Sequence, residues 1–196
     1  GAPSFRALEA AGAAGGVRPV DAGPSLDYTF LLFNLNPTTG SSRLTPHQWF
    51  DQQPFRQAVS LAIDRAAIAR LVYRGRASAI WTPVTPARKQ WFDPGIPRPA
   101  QSLNRARQLL HQAGFRWDDS GRLLDRNGVP VRFTVLANSA NPAYSQTGAI
   151  VEQDLSKLGI EARLVPLEFR SLVDRIVNKR DFDAAIMALR PGDVDP

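Results

Sequence analysis

Residues 54–77 read PFRQAVSLAIDRAAIARLVYRGRA, and the pattern of this stretch decides the fold. Pro54 suits the first turn of a helix, because the N–H group that proline lacks would find no partner there in any case. The apolar residues that follow recur at helical spacing and share one face: Phe55, Val59, Ala62 and Ile63. The first half of the stretch therefore predicts a short amphipathic helix.

Asp64 divides the stretch. Its carboxylate can accept hydrogen bonds from the N–H groups two or three residues further on, so it can cap a second helix. The apolar face of that second helix would be Ile68, Leu71 and Val72. Gly75 can end the helix in the left-handed conformation. The whole stretch thus predicts two short helices, separated by a capped break and packed on a sheet.

The composition is that of a folded domain. Of the 196 residues, 43% are apolar and 21% are charged, so wholesale disorder is not expected. The chain contains no cysteine, which excludes a disulfide, thiol catalysis and a zinc–thiolate site. The net charge of +6 comes mostly from arginines that are scattered along the chain. Scattered arginines indicate a solvated surface more than a nucleic-acid interface.

Helical and strand patterns alternate along the rest of the sequence, which predicts an α/β fold. The near-continuous apolar run at Tyr28–Leu35 predicts a strand buried on both faces rather than an edge strand. Residues 118–138 predict a hairpin, with its turn at 126–128. Five prolines within residues 78–100 exclude a helix and a central strand there. The remaining predicted elements are a helix from Ser102 to Gly114, a helix from Ser145 to Leu158, a strand from Ile160 to Val165, a helix from Phe169 to Lys179 and a strand from Phe182 to Met187.

Four segments resemble one known family, in the same order along the chain. Within residues 56–77 these are RQA, AIDR and YRGRA, and they are followed by ARQLLHQAGF at 106–115, QDLSKLGI at 153–160 and FDAA at 182–185. The segments resemble signatures of the family 5 extracellular solute-binding proteins. That family includes the oligopeptide, dipeptide and nickel receptors of bacterial ABC importers.

The resemblance implies an α/β fold with helices packed on a mixed β-sheet, forming one lobe of a two-lobed receptor like the periplasmic binding proteins. Residues 1–25 would be a connector from the preceding lobe, and residues 26–196 the second ligand-binding lobe, truncated at its C-terminus. The receptor would capture peptides or a similar small solute in an interlobe cleft, without chemical change. It would be a monomer that delivers its ligand to the membrane permease of the importer. Its location would be periplasmic or extracellular, with a membrane-anchored lipoprotein as one form.

Five residues are candidate ligand contacts. Asn34 either caps the turn that follows it or, as the matching F-N of the family implies, emerges at the interlobe cleft. Trp81 either contacts ligand or clips the proline-rich segment against the helices. Asp193 resembles the acid that anchors the terminal amine of a peptide in this family, although it is slightly offset along the chain. Leu189 and Arg190 stand where the family often has an aromatic residue. We expect the five to line one edge of the lobe; the ligand stays open between a peptide, a nickel chelate, a sugar and an antibiotic-like peptide.

The sequence contains no catalytic or metal-binding motif that we could assign. It has no Gly-x-Ser-x-Gly elbow, no His-Glu-x-x-His and no phosphate loop. His47 and His111 are too far apart to suggest a paired metal motif. We therefore predict a binding protein with no catalytic residue, metal, cofactor or nucleic-acid partner. Two alternatives stay open: an α/β enzyme that uses paired carboxylates, and a basic nucleic-acid-binding module.

Overall fold

The computed structural model describes residues 23–36 and 48–190, together with Leu8, residues 10–12, Gly15 and Val20. His47 and Asp193 lie outside the described residues. In chain order, the elements are β1 (Tyr28–Phe33), α1 (Gln53–Ala62), α2 (Arg65–Leu71), α3 (Leu103–Gln112), β2 (Arg116–Trp117), β3 (Leu123–Leu124), β4 (Arg132–Asn138), α4 (Pro142–Ser156), β5 (Glu161–Leu167), α5 (Phe169–Val173), a π-helical turn (Asp174–Asn178) and β6 (Ala184–Leu189).

The main sheet has the strand order β1-β6-β4-β5. Strands β4 and β5 are parallel, and β4 and β6 are parallel as well. The backbone N–H of Asn34, just after β1, donates to the carbonyl of Asp183, just before β6, at 2.9 Å. The end of β1 therefore lies beside the beginning of β6, so these two strands run antiparallel. Helix α4 packs on β4 and β5. The predicted class, helices packed on a mixed β-sheet, is confirmed.

The position of β1 corrects one prediction. The apolar run at Tyr28–Leu35 predicted a strand buried on both faces, but β1 is at the edge of the sheet that the described residues form. Every residue of β1 is half-buried. An apolar run indicates that a segment is shielded from water. It does not distinguish a central strand from an edge strand that is partly covered on both faces.

The predicted hairpin at residues 118–138 is confirmed around its turn and wrong beyond it. Leu124 and Pro130 form an antiparallel bridge across the turn, and the backbone N–H of Val131 donates to the carbonyl of Leu123 at 2.8 Å. Strand β3 also pairs antiparallel with β2, with Leu123 beside Trp117, whereas β4 leaves this region and joins the main sheet between β5 and β6. The reason is visible in the burial of β4, where Val135, Leu136 and Ala137 are all fully buried. A strand with consecutive buried residues needs cover on both faces, and a central position in a parallel sheet provides it.

The central stretch folds largely as predicted. Helix α1 has Pro54 in its first turn and buries Phe55 and Val59. Helix α2 begins directly after Asp64, and Gly75 beyond it has φ +75°, the left-handed conformation expected of a stop. Leu71 does not belong to a buried face, because 63% of it is exposed. The helix is only seven residues long and none of them is fully buried. Its apolar pattern therefore predicted more burial than the structure shows.

The contacts divide the chain into two compact units. One contains Thr29–Asp64 and Pro99–Met187, and the other contains Gly1–Tyr28, Arg65–Arg98 and Ala188–Pro196. The core of the first unit includes a group of aromatic rings in tilted and edge-on contact. The ring centroids of Phe33 and Phe50 are 4.6 Å apart, those of Phe50 and Phe133 are 5.1 Å apart, and those of Phe55 and Phe115 are 5.5 Å apart.

Candidate functional site

The carboxyl end of β6 is a candidate ligand site. In open α/β sheets, ligands bind in the crevice outside the carboxyl ends of the strands. β6 runs parallel to β4 and ends at Leu189, so Leu189 and the following Arg190 occupy such a position. Both side chains reach solvent, and Leu189 is 50% exposed. This placement agrees with the sequence prediction that these two residues border a ligand, and their role stays a prediction.

Arg190 forms a two-pronged ion pair with Asp27. Its Nε donates to Oδ1 at 2.6 Å and its Nη2 donates to Oδ2 at 2.9 Å. The hydrogen bonds from Arg190 hold the pKa of the Asp27 carboxyl below its usual value, against the smaller opposing effect of burial. Asp27 was absent from the predicted set. The two residues are 163 positions apart in the chain, and a single sequence contains no signal that pairs them.

Asn34 performs the structural role that the sequence offered as one of its two options. Its Oδ1 accepts from the backbone N–H of Asn36 at 3.1 Å. Its Nδ2 donates to the carbonyls of Phe182 and Arg180, at 2.8 and 2.9 Å. The side chain is buried, with 5% of the residue exposed. These bonds tie the end of β1 to the residues that lead into β6.

The expectation that Asn34 shares one edge with Leu189 and Arg190 is wrong. Asn34 lies beside Asp183, before the first residue of β6, and Leu189 is the last residue of the same strand. The prediction assumed that the ends of β1 and β6 meet at one edge, which requires parallel strands. Because β1 runs antiparallel to β6, its end meets the beginning of β6 instead.

Trp81 packs on the first residue of α2. The guanidinium carbon of Arg65 lies 5.7 Å from the centroid of the Trp81 ring, and burial lowers the pKa of Arg65. The Trp81 indole Nε1 is buried, with no hydrogen-bond partner among the residues that the structure describes. Trp81 also lines a cavity of about 30 Å³ with Phe92 and Arg98. That volume suits one water molecule. The contact with α2 supports the role of a clip, and contact with ligand stays a prediction.

A larger groove, of about 900 Å³, opens at the opposite end of the parallel strands. Its walls include Trp49, Phe133 and Ile160. Charged side chains of both signs line it as well: Arg122, Arg132, Glu152, Glu161, Arg163 and Asp183. Asn34, Trp81, Leu189 and Arg190, the four predicted ligand residues that the structure describes, are not among its lining residues. The sequence signal for part of it was the alternation of Glu161, Ala162 and Arg163 along β5, which places both charges on one face of the strand.

Asp183 anchors one wall of this groove. Its Oδ2 accepts from the backbone N–H of Thr134 at 2.8 Å and from the Thr134 hydroxyl at 2.7 Å. The side chain is buried, and these bonds satisfy a carboxylate oxygen that would otherwise be costly to bury. Asp183 therefore fastens the residue before β6 to β4, which explains structurally why an aspartate stands in the FDAA segment.

The described residues offer neither a metal-binding cluster nor a membrane-spanning helix. They contain no group of three or more His, Cys, Asp or Glu residues placed to hold a metal ion. No helix in the described part of the chain is long and apolar enough to span a membrane.

Known proteins resemble the chain in sequence. The family model described as "Bacterial extracellular solute-binding proteins, family 5 Middle" matches residues 3–196. The oligopeptide-binding protein AppA of Bacillus subtilis is 28% identical over 145 residues, which is 72% of this chain and 26% of AppA. A probable ABC transporter-binding protein of Deinococcus radiodurans is 28% identical over 170 residues, 83% of this chain and 28% of that protein. The chain thus spans about a quarter of the length of these relatives.

Solved structures have the same fold. The structure of AppA from Bacillus subtilis in complex with a nonapeptide superposes with a TM-score of 0.73 and 26% identity, covering 85% of this chain and 32% of AppA. The structure of NikZ from Campylobacter jejuni in complex with Ni(L-His) gives a TM-score of 0.72 at 21% identity, covering 88% of this chain and 31% of NikZ. At that lower identity the likeness establishes the fold alone. Because the family model matches almost the whole chain, the protein belongs to the family 5 bacterial extracellular solute-binding proteins.

Proposed function

We propose that this chain is part of the substrate-binding component of an ABC importer, which captures peptides or a similar small solute without changing them chemically. The observation that carries the proposal is the family match over residues 3–196. The relatives with curated names are binding proteins, which favours binding over the enzyme alternative. A nucleic-acid interface gains no support from these names either.

The proposal extends to the organisation of the receptor. Residues 26–196 form one ligand-binding lobe in this proposal, and residues 1–25 lead into it. Support comes from the relatives, whose own chains are three to four times as long as the part that this chain covers. A cleft receptor encloses its ligand between two lobes, so this lobe would supply only a share of the contacts. The receptor would act as a monomer outside the cytoplasmic membrane and deliver its ligand to a membrane permease.

The proposed solute is a peptide. AppA was solved with a nonapeptide and NikZ with a nickel–histidine chelate, so structures of this fold accommodate both types. AppA is the more similar in sequence, which favours a peptide. Extended peptides can be held by strand-like main-chain hydrogen bonds, a mode that suits the exposed end of a strand such as β6.

The deciding experiment is mass spectrometry of the solute that co-purifies with the intact receptor, released by denaturation. We expect peptides of several sequences. Recovery of a nickel chelate or a sugar as the dominant species would overturn the peptide assignment while keeping the receptor role. A second measurement addresses the lobe assignment, because the 196-residue chain alone should bind the recovered solute far more weakly than the intact receptor does. Micromolar or tighter binding by the isolated chain would contradict the proposal that this chain supplies only part of the binding site.

The nucleic-acid alternative has its own test. Contacts to phosphates release counterions, so affinity for DNA falls steeply with salt. We expect titration with a random duplex at two salt concentrations to give no saturable binding at either. Saturable binding that weakens steeply between the two concentrations would favour the basic module instead.

A further inference from the structure

The Asp27–Arg190 pair has the geometry with which proteins recognise carboxylates. Two guanidinium nitrogens of Arg190 face the two oxygens of Asp27, at 2.6 and 2.9 Å. This paired arrangement fits the planar guanidinium to a planar carboxylate and gives geometric specificity that a lysine ammonium lacks. The atoms of the Asp27 side chain thus stand where a carboxylate of another molecule could bind in the same way.

We propose that Arg190 recognises a carboxylate group on the captured solute, and that Asp27 occupies the position of that carboxylate when no solute is bound. This inference rests on the proposed function as a solute receptor, and it specifies a chemical group of the ligand. The solute would carry a carboxylate either at its C-terminus or on an acidic side chain.

The location of the pair supports exchange with a solute. Arg190 directly follows β6, at the carboxyl end of a strand that is parallel to β4, which is where ligands bind in sheets of this kind. Its side chain is 79% exposed, so a carboxylate in solution can reach the guanidinium. The neighbouring Leu189 is 50% exposed and offers an apolar surface beside the charge.

The strength of the pair also allows exchange. The side chain of Asp27 is 40% exposed, and exposed ion pairs contribute little to stability because water and salt screen them. A solute that gains further contacts elsewhere in the cleft could therefore displace Asp27 at small cost. Asp27 is held locally, since its backbone N–H donates to the Ser25 hydroxyl at 3.0 Å, and so its carboxylate is placed beside Arg190 before any solute arrives.

The test uses the intact receptor and a defined probe, a mixed library of tripeptides to nonapeptides made in two forms, as C-terminal acids and as C-terminal amides. Retained peptides are identified by affinity-selection mass spectrometry. Loss of a charge-assisted hydrogen bond changes binding by about tenfold to a hundredfold. We expect the wild-type receptor to retain acids over the matching amides by about this factor. If the recognised carboxylate belongs instead to a side chain, the receptor should retain peptides with Glu more strongly than their Gln counterparts, both as C-terminal acids and as C-terminal amides.

Variants separate recognition from a structural role. Arg190→Gln should abolish the preference for the carboxylate while the remaining affinity for amides persists, and Arg190→Lys should restore the preference only in part. Asp27→Asn removes the internal competitor, so affinity for carboxylate peptides should rise severalfold with amides unchanged. Arg105→Gln, at an exposed arginine on α3, is the matched control. It should change neither the preference for carboxylate peptides nor the affinity for amides.

Three outcomes oppose the inference. A wild-type receptor that retains peptides with no preference for any carboxylate overturns it, while peptide capture stands. If Arg190→Lys and Asp27→Asn weaken the binding of C-terminal acids and of C-terminal amides equally, the pair has a purely structural role. Retention of no library member by the wild type refutes peptide capture itself, and this outcome is distinct from the other two.

Discussion

The indole Nε1 of Trp49 donates a hydrogen bond to Oδ2 of Asp125, 3.1 Å away, and both residues are buried. The other carboxylate oxygen of Asp125 accepts from the backbone N–H groups of Asn127 and Val129, at 2.8 and 2.9 Å. Burial opposes ionisation of this carboxyl, but the indole and the backbone donors outweigh it and lower the pKa of Asp125. One buried carboxylate thereby ties the turn at residues 125–129 to the segment before α1.

Trp49→Phe should destabilise the protein, because it removes the indole donor and leaves a buried carboxylate oxygen without that bond. Hydrogen bonds to charged groups are worth roughly 1.5–3 kcal/mol, so we expect the free energy of unfolding to fall by about 2 kcal/mol in urea melts. The control is Trp91→Phe at a residue that is 53% exposed. An exposed substitution of this kind should stay within about 0.5 kcal/mol. Equal effects of the two substitutions would contradict the role assigned to the Trp49 indole.

Two glycines with the same backbone conformation should respond differently to alanine. Gly159 has φ +79°, and a Cβ there would lie 2.2 Å from the carbonyl oxygen of Gly121 and 2.7 Å from the backbone nitrogen of Leu123. Gly128 has φ +78° with nothing within 4 Å of an added Cβ. Left-handed backbone costs a residue with a Cβ roughly 1–2 kcal/mol, and overpacking costs roughly 1–3 kcal/mol more.

Gly128→Ala should therefore lower the free energy of unfolding by about 1 kcal/mol, and Gly159→Ala by about 2 kcal/mol beyond that. Chemical denaturation of the two variants measures the difference directly. Conformational strain is common to both, so their difference isolates the steric clash. If the two values agree within error, the close approach of residue 159 to the backbone at 121–123 does not exist in solution.

One observed helix cap, at Ser102, can be compared with one predicted cap, at Asp64. The Ser102 hydroxyl accepts from the backbone N–H of Arg105 at 3.2 Å, so Ser102→Ala should lower the free energy of unfolding by about 1 kcal/mol. Asp64 precedes α2 in the same way, and its capping stays a prediction. Asp64→Ala should cost about as much, roughly 1 kcal/mol. A loss for Ser102→Ala combined with no change for Asp64→Ala in the same melts would show that α2 is not capped by Asp64.

The fold was largely predictable because local signals and tertiary packing agree over most of the chain. Ser102 predicted a cap that the structure confirms, and Gly75 predicted a left-handed stop that is also present. The wrong predictions about β1 and β4 have the same cause. The direction of β1 and the partner of β4 depend on pairings between distant segments, and neither periodicity nor turn residues specify which of several strands a buried strand will join.

The candidate site was less predictable for the same reason. Leu189 and Arg190 could be named because they follow a strand, which is a local feature. Asn34 was a similar local inference, but its place depends on the antiparallel pairing of β1 with β6. Asp27 could not be named at all, since its significance comes only from its contact with Arg190. Features that depend on chain position were visible in the sequence, and those that depend on which strands meet were not.

Asp118 holds its turn through a network that strengthens when the carboxylate is charged. Its Oδ1 accepts from the hydroxyl of Ser120 at 2.7 Å and from the backbone N–H of Arg122 at 2.9 Å. Its Oδ2 accepts from the Nε of Arg122, also at 2.9 Å. The hydrogen bond from Ser120, followed by those from Arg122, lowers the pKa of Asp118 from 3.8 to about 2. The charged carboxylate is therefore favoured in the folded state relative to the unfolded state.

This shift predicts a pH dependence of stability with a definite sign. A carboxyl whose folded pKa is depressed stabilises the fold fully above its unfolded pKa of 3.8, and this contribution disappears as the pH falls through about 2. Asp118→Asn should thus be less stable than the wild type at neutral pH, and the gap should close between about pH 4 and 2. Urea melts across this range measure the gap. Ser120→Ala is the companion variant, because losing the hydroxyl donor should move the pKa of Asp118 back toward 3.8 in an NMR titration. A gap that is the same at pH 2 and pH 7 would mean that the network does not distinguish the charged carboxylate from the neutral one.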